Sequence, residues 1–186
     1  MSNIIPVVIS ERSGWTSDIF SYLLSKRRIF LTGPIDMSLA ESIIAQIEYL
    51  NALNNNDIEI IIQSGGGQVN AGNSIIDFMR LSKSRIICVA TGSVASMASV
   101  ILSCGDFRVA TKRAEILIHQ PHGGFFGKET DIEKHTERIS EMKRELIETI
   151  AYNSKRKFQE VADLMESDHI MNSQQALEFG IVDKII

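Results

Sequence analysis

Three serines sit close together where an apolar run gives way to small residues. In "ATGSVASMASVILSCG", residues 90–105, the strand-like "RIICVA" leads into a turn carrying Ser93, Ser96 and Ser99. A serine hydroxyl is a weak nucleophile until a base takes its proton and a third group orients that base. The chain offers four histidines for the base. His119 ends the apolar run "EILIHQP", whose continuation Pro121 forbids, so it stands where a strand meets a loop. His122 lies in the glycine-rich "PHGGFFG". His135 falls on the apolar spacing of a long helix and reads as a packed or interface residue. His169 follows a helix end, where it would cap carbonyls. His119 is the best-placed base.

Acyl transfer also needs donors aimed at a developing oxyanion. "SGGG", residues 64–67, supplies backbone N–H groups unobstructed by side chains. Met97, following Ser96 at a helix start, supplies another with a favourable dipole. The window V-A-S-M-A is not the G-x-S-x-G nucleophile elbow, so an alpha/beta-hydrolase is excluded. "HQPH" has metal-compatible spacing but no third ligand of the usual type nearby, and no metal or cofactor is expected. Taken alone, the serines are equally those of a turn that lets a helix approach a sheet closely. The surrounding elements have to decide.

These elements alternate. Helical spacing marks 17–26, 36–53, 73–83, 97–105, 131–155, 158–167 and 173–180. Strands are predicted at 27–33, 58–64, 86–91, 107–112, 115–121, 169–172 and 181–186. The unbroken apolar "IEIIIQS" predicts a strand buried on both faces. Twice a strand passes through a Gly/Ser/Ala loop ("SGGGQVNAG", then "TGSVAS") into a helix. Parallel strands with crossover helices bring such loops to one sheet edge, where open α/β folds bind ligands.

Composition narrows the rest. A net charge of −4, with no basic cluster beyond "SKRR" and "SKRK", argues against nucleic acid. No apolar run is long enough for a bilayer, and "MSNIIPVVISERSG" lacks the basic leader and apolar core of a signal peptide. Cys88 and Cys104, both in apolar surroundings, read as core residues in a reducing compartment. A cytoplasmic α/β protein is expected. It has no G-x-x-x-x-G-K-[ST] loop for nucleotide phosphates.

Four stretches in order, "IIQSGGGQVNAG", "GSVASMAS", "ILIHQPHGGFFGKETDI" and "DHIMNSQQALEFGIVDKI", resemble the proteolytic subunit of the caseinolytic (Clp) protease. The resemblance extends over nearly the whole chain. It implies a single domain over 1–186 with the crotonase-like (ClpP) spiral of β-β-α units, an axial segment at 1–17 and a protruding handle at 121–155. It implies a serine endopeptidase in which Ser96 attacks, His119 is the base and Asp168 orients it. Oxyanion N–H groups come from Gly67 and Met97. An extended substrate lies against Gly66, Gln68 and Val69 on one side and Gly123, Gly124 and Phe125 on the other. Heptameric rings stack in pairs around a chamber, and an AAA+ unfoldase supplies unfolded proteins.

Three positions depart from the family pattern. Gly65 stands where a proline is usual, which predicts a less rigid oxyanion loop. Ala98 replaces a glycine and would crowd the site. Ser167 replaces an arginine just before Asp168, so the junction keeps its carboxylates but lacks the neighbouring cation. Two rival readings follow: a ring subunit that serves a more active paralogue, and an acyl-CoA enzyme of the crotonase fold.

Overall fold

A computed structural model describes residues 7–9, 16–124 and 126–186. Strands β3 (Arg28–Thr32), β4 (Ile58–Ser64), β5 (Ile86–Ala95), β6 (Phe107–Ala110) and β9 (Lys184–Ile185) run side by side, every neighbouring pair parallel. Helices α2 (Met37–Leu53), α3 (Val69–Leu81) and α4 (Met97–Ser103) connect them. The fold is mixed α/β around a parallel sheet, in agreement with the expected class. Among the described residues, no helix is long and apolar enough to cross a membrane.

The strand expected to be buried on both faces is buried on one. Ile58, Ile60 and Ile62 are fully enclosed, whereas Glu59 and Ile61 are half-buried and Gln63 is exposed. The enclosed side meets Ile43, Ile47, Ile75 and Ile101 in one apolar core. The opposite side is covered in part by α1 (Ile19–Ser25), whose Phe20 meets Phe30 edge-on at 5.8 Å. Asp18 caps α1, its carboxylate accepting the N–H groups of Phe20 and Ser21 at 3.0 Å.

"TGSVAS", read as a loop, continues as strand. β5 spans ten residues, and its register against β4 shifts between Ile62 and Ser64. Gly92, at φ 59°, lies in this stretch. Before the shift, β5 pairs with β6. After it, Ser93, Val94 and Ala95 pair with β7 (Glu115–Ile118). One strand thereby serves two neighbours in succession, a use of irregular pairing that glycine and serine signals alone cannot separate from a turn.

Further differences are local. Helix α3 starts four residues before the predicted Asn73, at Val69. β8 (His169–Asn172) runs antiparallel to β7, and His169 pairs with Ile118 as a strand residue instead of capping a helix. Helix α5 (Glu129–Ser154) covers most of the expected handle. Helices α6 (Phe158–Met165) and α7 (Ser173–Phe179) flank β8, and α7 is opened by an Asn172/Gln175 capping box. Of the expected axial segment, β1 (Val7–Ile9) pairs antiparallel with β2 (Thr16–Asp18), and the rest lies outside the described residues.

Candidate active site

The three serines separate cleanly once placed. Ser93 is exposed. Ser99 is fully buried and its hydroxyl donates to Val94 O at 2.9 Å and Leu117 O at 2.7 Å, fastening α4 to β5 and β7. Ser96 is half-buried at the junction of β5 and α4, with φ 58° and ψ −127°. That conformation is costly for a residue with a Cβ and is held only where the surroundings over-determine it. They do so here. Ser96 N–H donates to Leu117 O at 2.9 Å, and Ser96 O accepts from Ser99 and Val100. The sequence lacks the G-x-S-x-G pattern, yet the strand–serine–helix turn has the same physical character.

Beside Ser96 opens a cavity of about 300 Å³ whose rim includes Gly66, Gly67, His119 and His122. His119 follows β7 directly. Its Nδ1 lies 3.0 Å from Asp168 Oδ1, and its Nε2 is buried with no hydrogen-bond partner. With Nδ1–H donating to the carboxylate, Nε2 keeps a free lone pair, and His119 lines the same cavity as Ser96. His122 meets His119 edge-on, with ring centroids 5.3 Å apart. Among the described residues, no group of three or more His, Cys, Asp or Glu is placed to hold a metal.

The glycine loop is tied on both sides of Gly65. Ser64 Oγ donates to Gly33 O at 2.6 Å and accepts Gly66 N–H at 3.1 Å. Gly66 O accepts from Ile35 N at 2.9 Å, and Gln68 N donates to Ile35 O at 2.7 Å. These bonds make Gly67 the central residue of a parallel bridge with Ile35. Such a residue turns its own N–H away from the bridge partner. Gly66, at φ 92°, abuts the serine: a Cβ there would stand 2.7 Å from Ser96 Cβ and 2.8 Å from Ala95 O. Met97 is the first residue of α4, so its N–H is one of the donors a helix start leaves unpaired.

Ala98 is fully buried in the core and does not line the cavity, so its methyl does not crowd the site. Val69 lines the cavity, Gln68 is exposed beside it, and Gly123 and Gly124 are exposed beyond His122. Phe125 lies outside the described residues. Sequence reasoning missed the apolar wall: Val100, Leu146, Ile150 and Met165 line the same cavity. Helical spacing marks such residues as core and carries no sign that one face borders a cleft.

Asp168 is unlike the rest of the site. Its side chain is 69% exposed, on the turn between α6 and β8. Ser167 beside it is also exposed, but a cation does reach the turn from another element. Lys143 Nζ of α5 lies 2.5 Å from Glu166 Oε1.

The family model for Clp protease matches residues 11–186. The chain therefore belongs to the Clp protease family, whose activity is that of a serine peptidase.

Proposed function

We propose that this member of the Clp protease family is a cytoplasmic serine endopeptidase that cleaves unfolded polypeptides with Ser96 as nucleophile, His119 as base and Asp168 as orienter. One observation carries the reading. His119 is bonded through Nδ1 to Asp168, its Nε2 is buried and unpartnered, and His119 and Ser96 line the same cavity. Ser96 Oγ attacks the peptide carbonyl carbon as its proton passes to His119 Nε2. Asp168 stabilises the imidazolium, and the N–H groups of Gly67 and Met97 receive the oxyanion. Collapse breaks the C–N bond, the proton moves to the leaving amine, and water then repeats the sequence on the acyl-enzyme.

An extended substrate would lie between Gly66–Val69 and Gly123–Phe125, read mainly through its backbone. The cavity walls of Met97, Val100, Leu146 and Ile150 suit an apolar side chain next to the scissile bond. Heptameric rings, stacked in pairs through α5, would enclose the sites, and an AAA+ unfoldase would use ATP to feed them.

The exposure of Asp168 favours a conditional form of this reading, in which rings of this chain alone have low activity until a partner ring or unfoldase orders the turn. Hydrolysis of a fluorogenic peptide and of an unfolded protein, with and without the cognate unfoldase, tests it. Ser96→Ala and His119→Gln should each lower turnover by about 10⁶-fold. His122→Gln should retain most of it. Loss on His122→Gln with retention on His119→Gln would make His122 the base.

A further inference from the structure

The turn that presents Asp168 is anchored on both flanks. On the C-terminal side, His169 enters β8 and pairs with Ile118, the residue before His119. On the N-terminal side, Gln120, the residue after His119, donates from its N–H to Met165 O at 2.8 Å and from Nε2 to Glu166 O at 3.1 Å. A third contact on that side carries charge and comes from α5, the ion pair of Lys143 Nζ with Glu166 Oε1. Lys143 is the better buried partner, its side chain 26% exposed against 60% for Glu166. It shares a helix face with Leu146 and Ile150, three and seven residues on, which form part of the cavity wall.

We propose that Lys143 is a positioning residue for the hydrolysis. Through Glu166 it fixes the N-terminal flank of the turn and so holds Asp168 in register with His119, making α5 responsible for both the cavity wall and the alignment of the base. This rests on the assignment of Ser96, His119 and Asp168 above. The inference follows from the exposure of Asp168. A side chain with so little packing around it takes its position from the backbone beneath it, and small displacements of a catalytic group are expensive in rate. The pair itself is partly solvated, so its removal should have a moderate effect that leaves the fold intact.

The test uses steady-state peptide hydrolysis by the full-length assembled protein. Lys143→Met should lower kcat about five- to tenfold with KM within about twofold, and Lys143→Arg should restore most of the loss. In an Asp168→Asn background, Lys143→Met should lower kcat no further, because the group it positions is already disabled. An equal further loss in that background, a wild-type kcat in Lys143→Met, or no rescue by Lys143→Arg would each overturn the proposal. Undiminished activity in His119→Gln would instead overturn the underlying assignment, whatever Lys143 does.

Discussion

Ser96 stands on backbone fixed by two strands, a helix and a glycine loop, whereas Asp168 stands on a turn fixed by a short strand pairing, one glutamine and one ion pair. Around the serine, the neighbouring hydrogen bonds are backbone bonds to β7 and within the start of α4, together with those of the buried Ser64 and Ser99 hydroxyls. Around the aspartate, the side chains remain largely in water. The first arrangement holds Ser96 at φ 58° through bonds made within the chain. The second is open to whatever packs against α5 and the α6–β8 turn. The proposed nucleophile is thus anchored to the core, and the proposed orientation of the base is left to surface contacts. A site so divided can be complete in one half and still depend on assembly for the other.

The largest effect expected from breaking the core half comes from Gly66. Gly66→Ala places a methyl against Ser96 Cβ and Ala95 O in backbone that L-residues rarely adopt. Peptide hydrolysis should fall about 10²- to 10³-fold, the cost of displacing oxyanion donors. Gly65→Ala, one residue away, meets open space and should leave turnover within about twofold. Equal losses in the two variants would show that the loop is not held as tightly as its bonds to Ser64 and Ile35 indicate.

A second aspartate sharpens the contrast with Asp168. Asp183 is gripped by Arg108 through Nη2–Oδ1 at 2.5 Å and Nε–Oδ2 at 2.9 Å, with Arg108 N–H adding a third bond at 2.8 Å. Partial burial pushes its carboxyl pKa up, but these bonds and the guanidinium charge outweigh it and hold the pKa below the ordinary aspartate range. A carboxyl depressed in the folded state contributes stability above the unfolded value of about 4, and that stability is lost as pH falls through the folded value. Asp183→Asn should therefore cost about 2 kcal/mol in urea unfolding at pH 7, with the gap to wild type closing below about pH 4. Asp168→Asn should leave unfolding at pH 7 within about 0.5 kcal/mol while removing activity. A destabilisation by Asp168→Asn as large as that of Asp183→Asn would erase the distinction between a structural and a conditional carboxylate.

How much of this was legible beforehand follows the same division. The three serines and His119 stand out by residue type at the ends of apolar runs, the family resemblance singles out Ser96 among them, and the strand–helix alternation around them needs only periodicity. Asp168 does not. It is 49 residues from His119 and sits on an exposed turn, so no local spacing marks it, and only the family resemblance pointed there. Leu146, Ile150 and Met165 were hidden for the opposite reason, since apolar residues at helical spacing look alike whether they face a core or a cleft. The loop expected at "TGSVAS" failed on backbone geometry, because β5 continues through Gly92, and the antiparallel pairing of β8 with β7 was not foreseen. Both depend on pairing partners distant in sequence, which a window of neighbouring residues does not contain.

The central claim is that Ser96 is a nucleophile activated by His119. Incubating the assembled protein with a fluorophosphonate and mapping the adduct by peptide mass spectrometry tests it most directly. A single adduct on Ser96, lost in His119→Gln and formed at an undiminished rate in Gly65→Ala, is the result this account predicts. An adduct on Ser93 or another serine, or labelling of Ser96 at the same rate in His119→Gln, would contradict it.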